Sequence, residues 1–125
     1  MSDLYLLNLA SRQADWLSTR DAALAANIAN ANTPGYRARD VAPFAETLSA
    51  SGLSQASTSA AHLRSGEESK ATIAVKNKDA RETTLSGNSV GMEDQLMNIG
   101  DVSRSYSLNV NIRRAFHQML ISSSR

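Results

Sequence analysis

The stretch that decides the fold runs from Asn27 to Tyr36 and reads Asn-Ile-Ala-Asn-Ala-Asn-Thr-Pro-Gly-Tyr. Pro34 disfavours a helical conformation for the residue before it, Thr33, so a helix arriving from the N-terminal side must end there. Pro34 and Gly35 then supply the fixed negative φ and the accessible positive φ that the two central positions of a type II turn require. The sequence therefore predicts a helix that ends just before a tight turn at residues 33–36.

The segment before this turn, from Leu4 to about Ala31, is predicted to form one long amphipathic helix. At 1.5 Å per residue it would be about 40 Å long. Asp21 interrupts its apolar stripe, and the alanines of its C-terminal half favour both helix formation and the close approach of another helix. The stripe recurs in alternating steps of three and four residues, at Leu7, Ala10, Ala14, Leu17, Leu24 and Ile28.

The chain after the turn loses this regular pattern. Residues 36–49 contain a second proline, Pro43, and predict an extended arm followed by a short helical turn. From about Ser49 to Ser89 the sequence is rich in Ser, Ala, Thr, Gly and charge, with too little apolar area to offset its own ordering entropy, so we expect mobility there in the isolated chain. A short strand is predicted at 71–75 and a loop at 87–88.

A second long helix is predicted from about Val90 to Ser122, with positive charge in its later turns. Arg113, Arg114 and His117 suit the negative end of its helix dipole there. Its apolar stripe consists of Met92, Leu96, Ile99, Tyr106, Val110, Phe116 and Leu120, widened by Val102, Leu108, Ile112 and Met119.

These elements predict an all-α fold in which two long terminal helices form an antiparallel coiled-coil-like pair, joined by a loop-rich middle with a short β-strand. We divide the chain into the N-terminal helix of a core domain (1–32), the turn, arm and flexible middle (33–89), and the C-terminal helix of the same core domain (90–125). A two-helix pair leaves much of each apolar stripe facing water. The sequence therefore predicts oligomerisation, either closed or as an open filament.

Composition argues against several functional classes. A net charge of +1 creates no field that would attract nucleic acid or an anionic membrane. Without cysteine there is no thiolate metal site, and the two histidines, His62 and His117, lie far apart without a nearby acidic cluster. The sequence contains no serine-nucleophile motif, and its adjacent acids cannot converge on one substrate. We expect no enzyme activity, metal or cofactor, no membrane insertion and no cleavable signal peptide.

Polar residues around the turn are the candidates for binding. Asn27, Asn30 and Asn32 crowd a helix end although asparagine is a poor helix former, which suggests that their amides bond to backbone of the turn or of a neighbouring subunit. Arg37 and Arg39 follow the turn, and either bind an acidic neighbour or carry solvated charge. Both interpretations stay open at this point.

The segment from Asn27 to Tyr36, preceded by a long helix, closely resembles the signature of flagellar rod and hook-family axial proteins. Its continuation from Arg37 to Val41, with the short chain length, looks most like the proximal rod protein B family. Residues 87–97 are similar to the stretch that opens the C-terminal helix of this family. The sister proximal rod protein C family shares much of this pattern and is the close alternative. Asn32 stands where many relatives carry an acid.

The resemblance implies a structural subunit of the proximal rod, whose terminal helices build a hollow tube that transmits torque and passes exported subunits. Its implied partners are other copies of itself, other proximal rod proteins, the junction protein FliE and the flagellar type III export apparatus, which would export it without a signal peptide into a rod spanning the periplasm. The implied assembly motif is Asn27, Ile28, Asn30, Asn32, Thr33, Pro34, Gly35 and Tyr36. The implied helix contacts are Leu7, Leu17, Leu24, Leu96, Ile99, Tyr106, Val110, Phe116 and Leu120.

A soluble helical adaptor or export chaperone is the alternative function. It would also show amphipathic helices and little chemistry, but it does not account for the asparagine-rich Thr-Pro-Gly-Tyr turn. A chaperone should form a stable closed dimer, whereas a rod subunit should stay mostly monomeric until assembly is nucleated.

Overall fold

The computed structural model describes residues 2–50, 73–78 and 83–124. In chain order its elements are α1 (Ser2–Ala29), β1 (Arg39–Val41), α2 (Phe44–Ala50), β2 (Val75–Asn77) and α3 (Met92–Ser123). The predicted fold class, two long terminal helices with a short strand in the middle, is confirmed. None of the helices within these ranges is both long and apolar enough to cross a bilayer.

Both long helices have bounds that differ slightly from the predicted ones. α1 ends at Ala29, and the amide of Asn30 is shared between the carbonyls of Ala26 and Asn27 before the chain turns away. α3 begins at Met92, two residues later than expected, because Gly91 is extended (φ −87°, ψ 110°) and acts as the N-cap. The Asn88 side chain accepts a hydrogen bond from the Val90 amide, which also holds that residue outside the helix.

The two long helices pack antiparallel around a small apolar layer. Leu17 and Leu24 of α1 and Val102 of α3 are buried together, with Trp16 and Ile99 half-buried against them. The buried residues of α3 recur every seven positions, and they are Gln95, Val102 and Asn109. A seven-residue repeat is the spacing of a coiled-coil seam, but two of its three positions here are amides.

A two-stranded sheet lies beside α1. Its strands pair antiparallel, with Arg39 opposite Asn77 and Val41 opposite Val75. The strand predicted at 71–75 exists but is displaced, because the described strand begins at Val75; residues 71–72 lie outside the described part of the chain. The predicted arm and helical turn correspond to β1 and α2.

The predicted mobility of residues 49–89 falls largely on 51–72 and 79–82, which lie outside the described residues. Residues 83–89, which the structure describes, are hydrogen-bonded to the turn that follows α1. The Gly35 amide donates to the Ser86 carbonyl (2.9 Å), and the Ser89 amide donates to the Tyr36 carbonyl (3.0 Å). The loop before α3 is therefore attached to the turn after α1.

Candidate assembly site

The turn after α1 has the geometry that its sequence predicts. The Tyr36 amide donates to the Thr33 carbonyl (3.2 Å), which closes a four-residue turn, and Gly35 has a φ of +72°. Only a residue that tolerates the left-handed region suits this position without strain. Gly87 also has a positive φ (+77°), and a Cβ on it would lie 3.5 Å from the Gly35 Cα. The positive φ at each position, rather than a lack of space for a side chain, is what favours glycine there.

Asn27 joins three elements through one side chain. It is completely buried. Its amide nitrogen donates to the Arg39 carbonyl (2.7 Å) and to Gln95 Oε1 (2.8 Å), while its oxygen accepts from the Arg39 amide (2.9 Å) and the Tyr36 hydroxyl (3.4 Å). An asparagine side chain can make about four hydrogen bonds, so it is fully satisfied. Asn27 thus fixes the end of α1 to both the arm and α3.

Asn88 joins the loop before α3 to the turn that follows α1. Its side chain is buried and donates to the carbonyls of Asn30 (2.9 Å) and Thr33 (2.7 Å). Carbonyls just beyond a helix C-terminus have no partner within the helix, so a donor from elsewhere must satisfy them when they are covered. We call Asn27, Asn88 and Gln95 together the polar joint, because they bind the end of α1, the arm and the start of α3 to one another.

The three motif asparagines therefore differ in role. Asn27 and Asn30 bond within their own chain, since Asn30 donates to the Ala26 carbonyl (2.8 Å) and accepts from Thr33 Oγ1 (3.2 Å). Asn32 is exposed, as are Arg37 and Arg39. Asn27 instead bonds to the backbone of Arg39 in the arm and to Gln95 of α3, so both asparagines have partners in their own chain.

The arm is held on α1 by residues about two and three turns before Asn27. Arg20 makes a two-point ion pair with Asp40 (3.1 and 3.3 Å), and both side chains are about four-fifths covered. Trp16 donates to the Ala42 carbonyl (2.8 Å), and its ring packs 5.9 Å from that of Phe44. These contacts cover one side of the helix pair.

The predicted helix-contact residues separate into two groups. Leu17 and Leu24 are buried between the helices, Ile99 packs beside them, and Leu7, Val110, Phe116 and Leu120 are half-buried. Leu96 and Tyr106 are 59% and 52% exposed. Further exposed apolar side chains lie along α3 at Met92, Met97, Leu108, Ile112, Met119 and Ile121.

Several residues of this site were missed by sequence reasoning. The sequence did not single out Trp16, Arg20 and Asn88. The seam positions Gln95 and Asn109 were also missed, because the predicted stripe of α3 contained apolar residues alone. A search for a seven-residue repeat that admitted amides would have found Gln95, Val102 and Asn109 together. No comparable local signal marks Arg20, whose partner Asp40 is set by the path of the arm.

The described residues of this site are joined by hydrogen bonds, an ion pair and apolar packing. Across the described ranges, no three His, Cys, Asp or Glu side chains cluster so as to hold a metal ion. His117 is exposed on α3, and His62 lies outside those ranges. The amide side chains that converge here bond to backbone groups and to one another.

The sequence is similar to known flagellar proteins. The family described as Flagella basal body rod protein matches residues 7–37, which comprise most of α1 and the turn. The flagellar basal body rod protein FlgB of Agrobacterium fabrum (strain C58) is 40% identical over 126 residues, covering 97% of this chain and 93% of that protein. FlgB of Salmonella typhimurium (strain LT2) is 31% identical over 102 residues (74% and 73% of the two chains), and that of Escherichia coli (strain K12) is 32% identical over 101 residues (74% and 72%). The chain therefore belongs to the flagellar basal body rod protein FlgB family, a family of structural rod proteins.

Proposed function

We propose that the chain is a subunit of the proximal rod and that α1 and α3 pack against copies and relatives of themselves to form a hollow tube. The observation that carries this proposal is the exposed apolar surface of α3. Eight of its large apolar side chains are more than 40% exposed, although α1 already covers one face of the helix. Exposed apolar side chains in this number are typical of a surface that binds a partner.

The finer assignments follow from membership of this family together with that surface. The tube would transmit torque and pass exported subunits, and the chain would reach it unfolded through the type III export apparatus to join a rod that spans the periplasm. FliE and other proximal rod proteins would be its neighbours. In keeping with membership of a family of structural rod proteins, we propose no catalytic role for the chain.

Within this proposal the assembly motif has two parts. Asn27, Asn30 and Gly35 shape the chain's own turn, while the exposed Asn32, Arg37 and Arg39 face neighbouring subunits. The core domain then consists of residues 1–32 and 90–125, with 33–89 as the connecting part.

The test is incorporation into isolated basal bodies, measured by immunoblot in cells that lack the chromosomal copy. Leu96→Asp should leave the helix pair folded, because that side chain is exposed, yet reduce incorporation at least tenfold. Asn111→Asp, a near-isosteric change at an exposed polar position of α3, is the matched control and should incorporate normally. Absence of the parent chain from basal bodies, together with a stable dimer in solution, would support the adaptor alternative instead.

A further inference from the structure

Among the residues that the structure describes, none covers the side of the helix pair opposite the arm. Trp16 and Arg20 point from α1 towards the arm, whereas Ser18 and Asp21 lie on the other side of the same helix. There, an open groove of about 350 Å³ runs between α1 and α3. Its floor consists of Leu17, Ile99 and Val102, and its rim includes Ser18, Asp21, Ser103 and Tyr106. Within the described residues Asp21 has no ion-pair partner, so the rim carries an unpaired negative charge.

A matching surface lies on the C-terminal half of α3. Leu108, Ile112, Ala115 and Met119 are exposed and follow one another in steps of four, three and four, which is the spacing of a helix that packs into a groove between two others. Arg113 and Arg114 lie on opposite flanks of the helix, each about 130° around it from the centre of this stripe. The segment of α3 after Asp101 contains no acid. Whichever way such a helix runs in the groove, one of these arginines lies on the side of Asp21.

The stripe cannot reach the groove of its own chain. Ser103 at the groove and Ala115 in the stripe are on the same continuous helix, about 18 Å apart at 1.5 Å per residue. The stripe must therefore meet the groove of another molecule. Because groove and stripe are different surfaces, each contact leaves one of each unoccupied, so the contact is heterologous and can repeat along an assembly.

We propose that the groove receives the Leu108–Met119 stripe of a second copy of this chain, with Asp21 of the first copy facing Arg113 or Arg114 of the second. This inference rests on the proposed function and names the contact by which copies join. Apolar complementarity holds the helix in the groove, and the charges select its partner and register.

Disulfide trapping tests the contact directly, because the chain has no cysteine of its own. A disulfide needs Cα atoms within about 7 Å, so Ser103→Cys and Ala115→Cys cannot join within one chain. After mild oxidation of basal bodies, the double variant should give cross-linked species of two or more copies, while each single variant should stay monomeric. Normal incorporation of the double variant without cross-links would overturn the inference and leave the proposed function intact. Cross-linking of a single variant would also overturn it, since that requires a symmetric contact.

Charge reversal tests whether the partner is a second copy. Asp21→Arg should reduce incorporation at least tenfold, and adding Arg113→Asp and Arg114→Asp to the same chain should restore it. Restoration is possible only if the groove and the stripe belong to copies of one chain. Loss without restoration would assign the groove to a different rod protein and overturn the inference. Normal incorporation of Asp21→Arg would overturn the charge pairing.

Discussion

The two ends of the helix pair are built on different principles. At the end where α1 stops and α3 starts, the polar joint is buried and every hydrogen-bonding atom of Asn27 has a partner. At the other end, Asn109 donates to Ala10 and Gln13 but its oxygen is buried without a partner, and α3 is mostly exposed beyond it. The first end completes its interactions within one chain. Among the described residues, the second end leaves apolar side chains of α3 exposed, and we propose that a neighbouring subunit covers them.

The largest loss of stability should come from disrupting the apolar layer that lies between the two ends of the helix pair. Leu24→Asp places a charge where the side chain is 1% exposed, and an unpaired buried charge cannot be tolerated without unfolding or neutralisation. We expect loss of more than about 4 kcal/mol of unfolding free energy and no incorporation into the rod. Ala25→Asp, at the next position along the helix, is the control because that position is exposed. Its free energy of unfolding, measured by urea denaturation, should lie within about 0.5 kcal/mol of that of the parent chain. Full incorporation of Leu24→Asp would show that this layer is dispensable.

Removing the centre of the polar joint should have the next largest effect. Asn27→Ala leaves the backbone groups of Arg39 and the side chain of Gln95 without their buried partner, at a cost of about 1–3 kcal/mol for each unsatisfied group that water cannot reach. We expect a loss of about 3 kcal/mol by urea denaturation. Asn32→Ala removes an exposed amide of the same type and should change stability little. An equal loss of stability in both variants would contradict the distinction between a buried, hydrogen-bonded Asn27 and an exposed Asn32.

Backbone strain at the turn should lower the free energy of unfolding by less than the loss of the Asn27 side chain does. Gly35→Val places a β-branched residue at a φ of +72°, which costs about 1–2 kcal/mol even though no atom lies within 4 Å of the new Cβ. We expect export to continue while rod assembly and motility fail. Gly100→Ala is the contrasting change, because Gly100 is helical with open space around it, and it should stabilise α3 by about 1 kcal/mol. Normal motility of Gly35→Val would contradict the role of the turn.

The smallest expected effect is the difference in stability between substitutions of the two amides of the α3 seam. Gln95→Leu leaves an Asn27 donor without a partner and should cost about 1–2 kcal/mol. Asn109→Leu loses the hydrogen bonds donated to Ala10 and Gln13, but it also removes an oxygen that is buried without a partner, so its net cost should stay below about 1 kcal/mol. Thermal unfolding of both variants at equal protein concentration gives the ranking. A reversed order would mean that the distal end is the better satisfied one.

Sequence predicted one end of this molecule better than the other. Thr33 to Tyr36 specify their turn through φ preferences that depend on neighbouring residues alone, so turn type and helix end could be predicted. The partners of Asn27 and Arg20 could not be, because Arg39, Gln95 and Asp40 reach them only through the path of the arm and the register of the helix pair. Apolar periodicity predicted that α3 is amphipathic, but it did not separate Val102, which faces α1, from Leu96 and Tyr106, which face outward.

Hydrogen exchange, compared between the free chain and the chain in isolated basal bodies, tests the central claim most directly. We predict that amides of 20–29 and 92–102, near the polar joint and the apolar layer, are protected in both states. Amides of 110–122 should exchange quickly in the free chain and become protected only in the rod. Uniform protection of α3 in the free chain would contradict the account, because the distal end would then be complete without a neighbour.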